Sequence, residues 1–324
     1  MEPLEEAVPE RLAQAEIDAA VSVARRLVQN IRRAVQVKDE VLEHVIVTML
    51  SEGHILVEDY PGVGKTALAR SVSRSIDCQF ARVQCTADLL PADIIGTQIY
   101  NQRESRFEFR PGPIFANVVL VDEVNRATPK TQSGLLECMQ ERQVTVEATS
   151  HELARPFLVF ATQNPVEYEG TYPLPEAQVD RFMVRLSLGY PTAEEEAGML
   201  MGHESHDRVL DLEAVADRAE IVDAVETAHR VHASRALRNY IVALIRHTRD
   251  DDRTELGASP RAGLMLLRAA KARALVHGRD HALPDDVQAL ADAVLSHRIM
   301  LAPEAAGLQR SEIIRDAITA VPAL

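Results

Sequence analysis

Residues 59–66 read Asp-Tyr-Pro-Gly-Val-Gly-Lys-Thr (DYPGVGKT), with HILVE (54–58) before them and ALARSVSRS (67–75) after. A short apolar run, a glycine-rich turn and a helical pattern, in that order, are the strand, loop and helix of a phosphate-binding site. Gly62, Gly64, Lys65 and Thr66 let successive backbone N–H groups face one concavity at the positive end of a helix dipole. Lys65 is placed to reach β- and γ-phosphates, and Thr66 to hold Mg²⁺ through its hydroxyl. Pro61, Val63 and Ala67 complete the expected nucleotide-binding stretch. One position departs from the pattern: Asp59 stands where the motif has its first glycine. Aspartate tolerates turns better than most residues, so the loop stays intact if this carboxylate points away from the phosphates.

Four further runs read as strands buried on both faces: QFARVQ (79–84), NVVLVD (117–122), PFLVFAT (156–162) and RFMVRLSL (181–188). Helical patterns separate them. One runs from Lys65 to about Ser75, and another starts at Pro129 behind the cap Thr128. Upstream, Asp39 is expected to cap a helix carrying Val41, Leu42, Val45, Ile46, Met49 and Leu50 on one face. Beyond Tyr190-Pro191 the strands are expected to stop, and four helical stretches follow, with Gly278 marking an end and Asp285-Asp286 in a first turn. The expected fold is therefore α/β, a parallel five-stranded sheet flanked by helices, followed by a small all-α domain. The expected divisions are an N-terminal helical segment (1–36), an α/β nucleotide-binding core (37–190) and a helical domain (191–324). Two hairpins, about 96–113 and 142–156, are not needed to complete the sheet and read as functional insertions.

The stretch VVLVDEVNRA (118–127) ends a strand in Asp122-Glu123, two carboxylates at the edge where open α/β sheets bind ligands. Asp122 is expected in the Mg²⁺ shell, with Thr66, and Glu123 is expected to polarise an attacking water. No NKxD base-reading motif follows, which favours a hydrolase over a switch GTPase. The formal net charge of −14 argues against a broad nucleic-acid footprint. Three cysteines without a CxxC pair set zinc and disulfides aside, and the His203/His206 and His229/His232 pairs lack further ligands nearby. No apolar run is long enough to span a membrane, and the acidic start MEPLEEAVPE is unlike a signal peptide, so a cytoplasmic protein is expected.

LVEDYPGVGKTALAR, VDEVNRATPKTQSGLLECMQERQVTVE, FATQNPVEYEGTYPLPEAQVDRF and SPRAGLMLLRAAKA, in this order over about residues 30–300, resemble the MoxR family of AAA+ ATPases. The resemblance implies an AAA+ P-loop NTPase fold, ATP and Mg²⁺ as cofactors, and a homo-oligomer, expected as a hexameric ring. It implies that Asn164 is the sensor-1 residue orienting water, that Arg181 is the arginine finger supplied to the neighbouring subunit, and that Arg261 is the sensor-2 residue contacting the γ-phosphate of its own chain. The two hairpins resemble the helix-2 and pre-sensor-1 inserts; Tyr100, Phe107 and Phe109 are expected to pair across strands, and Asn125 and Arg126 are candidates for subunit contacts. Val37 and Lys38 stand where relatives carry Gly and Gln beside the adenine. By resemblance the client is a protein with a von Willebrand factor A (VWA) domain, remodelled or loaded with a metal cofactor. The rival readings are the ATPase subunit of a magnesium- or cobalt-chelatase, a DNA-associated AAA+ regulator, and a nucleotide-binding scaffold without turnover.

Overall fold

A computed structural model describes residues 11–60, 62–164, 170–190, 208–305 and 307–323. Five strands form its central sheet: β1 (Ile55–Glu58), β2 (Phe80–Gln84), β3 (Val118–Asp122), β4 (Leu158–Gln163) and β5 (Val184–Leu186). They lie in the order β2-β3-β4-β1-β5, every pair parallel. Side chains alternate across the pleat and feed two separate cores. Ile55, Val57, Leu120, Phe160 and Val184 enter one, whereas Leu56, Val119, Val121, Val159 and Ala161 enter the other. This is why these runs look continuously apolar: both faces are covered.

The first core is shared with α1 (Gln14–Arg32), α2 (Asp39–Leu50), α3 (Lys65–Ser75) and the C-terminal helices α5 (Arg218–Arg230), α6 (Arg235–Asp250), α7 (Pro260–Val276), α8 (Pro284–Leu295) and α9 (Arg310–Ala320). Helix α4 (Pro129–Glu141) covers the other face. Helix starts follow local chemistry. Thr128 Oγ1 accepts from Thr131 N with Pro129 at the first position, Asp217 and Glu220 cap α5 reciprocally at 2.9 and 3.0 Å, and Ser259 Oγ accepts from Ala262 N at 3.1 Å to open α7. Asp39 differs from its expected role: Lys38 is the cap, and Asp39 sits inside the first turn of α2, where its charge complements the dipole. Strands also reappear beyond residue 190, because Thr254–Leu256 pairs antiparallel with Met300–Leu301. His203 and His206 lie outside the described residues. Among those described, no helix is long and apolar enough to cross a membrane.

Both hairpins form, Gly96–Asn101 with Arg106–Pro111 and Gln143–Val146 with Thr149–Glu152. Tyr100 meets Phe107 across the first. Phe109 instead stacks on His151 of the second, ring centroids 4.1 Å apart, so the two insertions dock on each other.

His54, at the amino end of β1, is buried and pins three elements. Its Nε2 donates to the Met139 carbonyl at the end of α4 (3.0 Å), and its Nδ1 accepts from Val159 N of β4 (3.1 Å). Only the neutral ring satisfies both partners, and burial brings its pKa down to about 4. Between about 6.5 and 4 the unfolded chain therefore binds the proton and the folded one does not, so stability is complete above pH 6.5 and falls with pH across that window. Chemical denaturation should show a loss on the order of 3 kcal/mol from this residue between pH 7 and pH 4. His54→Ala should cost ~2–4 kcal/mol at pH 7.5 and flatten this part of the pH profile.

Candidate functional site

The loop between β1 and α3 turns on two glycines with left-handed backbone, Gly62 (φ +86°) and Gly64 (φ +94°), the latter capping α3. A Cβ at either would be strained by the backbone alone. Val63 is buried in the first core and Ala67 packs against it, which holds the turn to the sheet; Pro61 lies outside the described residues. Lys65 is half-buried and Nζ donates to the Asp59 carbonyl at 2.8 Å. Burial pushes its pKa down, against the pull of the Asp59, Asp122 and Glu123 carboxylates, which places all three acids within electrostatic reach of the ammonium. Thr66 follows at the helix start, partly exposed.

Asp59 is 4% exposed, and its carboxylate is bonded to the segment that follows β5. Oδ2 accepts from Leu188 N (2.6 Å), Gly189 N (2.8 Å) and Ser187 Oγ (3.2 Å), and Oδ1 from Tyr60 N (3.0 Å). Its φ is not positive, so the position does not need the motif's glycine.

At the carboxyl end of β3, Asp122 is buried. Arg82 of β2 donates to its Oδ2 through Nε (2.7 Å) and lies within 2.6 Å through Nη2, while Thr162 Oγ1 donates to Oδ1 (3.1 Å). Glu123 takes a left-handed conformation (φ +55°, ψ +51°), uncommon for a side chain of its kind. Its N–H donates to Thr162 Oγ1 (2.9 Å), and its carboxylate accepts from Gln84 Nε2 (3.1 Å), with Arg126 Nε 3.0 Å away. One hydroxyl thus orients both acids. Strain of this kind at a loop following a strand is held in place by its surroundings. Thr162, Arg82 and Gln84 were not singled out from sequence. The available signal was polarity inside apolar strands: a hydroxyl ending PFLVFAT and an arginine and glutamine within FARVQ.

Asn164 directly follows β4 and, with Glu58, Gln163 and Thr171, lines a cavity of about 250 Å³. Asn125 is buried rather than presented for subunit contact; its carbonyl accepts from Tyr172 N at 2.6 Å. Arg126 lies against Glu123.

Arg181 and Arg261 lie elsewhere. Arg181 precedes β5, and both arginines line a cavity of about 620 Å³ with Glu52 and Gly53, which precede β1, and with Arg268 and Lys271 of α7. This is the amino end of the sheet, opposite the loop. Arg261 reaches Gln140 Oε1 at the end of α4 (3.4 Å). The start of α7 is anchored there: Ser259 Oγ donates to Asp180 (3.1 Å), which also accepts from Arg298 Nε (2.7 Å). Asp180 is thereby occupied, and Arg181 has no ion pair among the described residues.

Comparison with known proteins matches residues 54–184 to the ATPase family associated with various cellular activities (AAA) and residues 246–317 to an AAA lid domain. The chain is 46% identical over 298 residues to the uncharacterized protein YeaC of Bacillus subtilis, covering 91% of this chain and 93% of that one. It is 39% identical over 296 residues to chaperone MoxR1 of Mycobacterium tuberculosis, covering 89% and 78%. Its structure superposes on that of a candidate ATPase from Cytophaga hutchinsonii with a TM-score of 0.87 at 37% identity, covering 96% and 97% of the two chains.

Thr162→Val keeps the shape of the strand but removes the hydroxyl shared by Asp122 and Glu123. Phosphate release should fall by about 10- to 100-fold, while the affinity for fluorescent ATP analogue stays within threefold. A comparable loss of affinity would place the hydroxyl's effect on the loop instead.

Proposed function

The chain belongs to the MoxR family of AAA+ ATPases and hydrolyses ATP, and on that premise we propose that it works as a cytoplasmic ring whose active sites are closed at the seams between subunits. The observation that carries this reading is the placement of the loop and the two arginines at opposite ends of one parallel sheet. Arg181 stands at the other end of the sheet from the phosphates its own Lys65 would bind, and in this reading a second copy supplies it. The cavity shared by Arg181 and Arg261 extends the proposal: both arginines serve the neighbour's nucleotide.

Within one seam, Lys65 and the loop amides hold the phosphates, Asn164 orients the attacking water, and Glu123 receives its proton as it approaches the γ-phosphorus. The neighbour's guanidinium offsets charge on the transferring phosphoryl group. Thr66 and Asp122 are hard oxygen donors of the kind that suit Mg²⁺. Of about four acceptor sites on a carboxylate, Arg82 and Thr162 occupy three on Asp122, which leaves room for one water of a hydrated ion. Magnesium, when bound, neutralises charge between the β- and γ-phosphates.

The family's chaperone-like activity is directed, we infer, at a client with a VWA domain. The docked hairpins support a client-facing role, because Tyr100 and Phe107 remain about half and two-thirds exposed at their tip (53% and 69%). Hexameric assembly belongs to the same proposal.

Mixing experiments test the seam. Arg181→Ala should lose roughly 10³-fold or more in turnover, and Lys65→Ala should lose ATP binding. Mixed, the two should regain activity, since the loop of the first meets the arginines of the second. Arg261→Ala should likewise be rescued by Lys65→Ala but not by Arg181→Ala. Rescue by Arg181→Ala would put Arg261 back in its own chain's site, and no rescue in any mixture would end the two-chain reading. For the client, Glu123→Gln loaded with ATP should retain a VWA-domain protein on affinity capture; recovery of a porphyrin-chelating subunit instead would favour the chelatase motor.

A further inference from the structure

Asp59 is bonded at once to three parts of the molecule that the reaction uses. Its backbone carbonyl holds the Lys65 ammonium (2.8 Å), and its N–H donates to the carbonyl of Gln163 (3.3 Å), the residue before Asn164. Its carboxylate holds residues 187–189, which are 128 to 130 positions away in sequence and lead out of β5 towards the helical unit. A carboxylate that served only to shape the loop would take its donors from the loop. Here only Tyr60 N is local, and the three other donors come from beyond β5. The contact continues in the next residue of each segment, because Tyr60 and Tyr190 stack with ring centroids 5.4 Å apart and planes 19° from parallel.

We propose that Asp59 is a positioning residue that couples the phosphates held by Lys65 to the hinge at 187–189. The inference rests on the reading that Lys65 binds ATP. An ammonium has three N–H donors, so Lys65 grips a phosphate while keeping the Asp59 carbonyl. Displacement of Lys65 then moves Asp59, and its buried, charge-assisted bonds carry that movement to Leu188 and Gly189. Gly189 has left-handed backbone (φ +71°) and stands where a small change in dihedrals redirects the chain that follows. The motif's usual glycine would complete the phosphate loop equally well and leave these donors unheld. In this chain the departure at Asp59 is the device that links the loop to the helical unit.

The test uses the full chain and its Asp59→Gly, Asp59→Asn and Lys65→Ala variants. Binding of ATPγS with Mg²⁺, steady-state phosphate release and backbone hydrogen exchange are measured on each. In the parent, ATPγS should alter exchange both at 186–190 and in α5 to α9. Asp59→Gly should bind ATPγS within threefold of the parent, with KM also within threefold. Its Leu188 and Gly189 amides should exchange at least tenfold faster, the response of α5 to α9 should vanish, and kcat should fall at least tenfold. Asp59→Asn keeps one carbonyl oxygen for the hinge and should lie between parent and glycine variant in kcat; where the glycine variant fails to fold, the asparagine variant carries the same comparison. A kcat within twofold of the parent, or a retained response in α5 to α9, overturns the coupling while leaving the ATP site intact. ATPγS affinity unchanged by Lys65→Ala would remove the premise and the coupling with it.

Discussion

The polarity of the parallel sheet governs the rest of the molecule. All five strands run the same way, so their carboxyl ends gather the loop, Asp122, Glu123 and Asn164 at one edge, and their amino ends gather His54, Arg181 and the start of α7 at the other. Four residues of β1 at about 3.3 Å each separate the two edges by ~13 Å. No refolding of a side chain closes that gap. A site needing both a phosphate loop and an arginine from β5's amino end is therefore not completed within one chain by this strand direction.

The parallel sheet was legible because strands buried on both faces leave an unmistakable trace in sequence. HILVE, NVVLVD and PFLVFAT each fall on a strand, with ends shifted by one or two residues. The loop was legible for another reason: two left-handed positions call for glycine, and Gly62 and Gly64 supply it, the second at the motif's own glycine before Lys65. What escaped the reading was side-chain chemistry between elements distant in sequence. Nothing near Thr162 announces that its hydroxyl bridges Asp122 and Glu123, because those residues come together only when β3 and β4 pair. The ladder of Thr254–Leu256 with Met300–Leu301 escaped too, being too short for periodicity to register.

Arg261 shows the same limit more sharply. The sequence places it at the start of a helix, where its charge opposes the dipole and asks for an anion. Which anion it meets depends on where that helix start is docked. The bonds of Ser259 and Arg298 to Asp180 decide this, and both span long sequence separations. Local pattern picks out the residue and its preference for an anion, but tertiary packing sets which end of the sheet it occupies.

Buried ionic contacts add less to stability than to the choice of one arrangement over others, and β5 is where that choice is made here. The strand is three residues long and lies at the edge of the sheet. At its amino side Asp180 takes Ser259 and Arg298 from the helical unit, and Arg181 stands next to it. At its carboxyl side residues 187–189 are held by Asp59 of the phosphate loop. Apolar packing in the first core joins the helices to the sheet but is indifferent to small sliding. The two carboxylates are directional. The helical unit is thus tied at one end of this short strand to the residue beside Arg181, and the other end of the strand is tied to the phosphate loop of the same chain. Short and at the edge, with few ladder bonds of its own, the strand owes its position to these directional contacts at both ends.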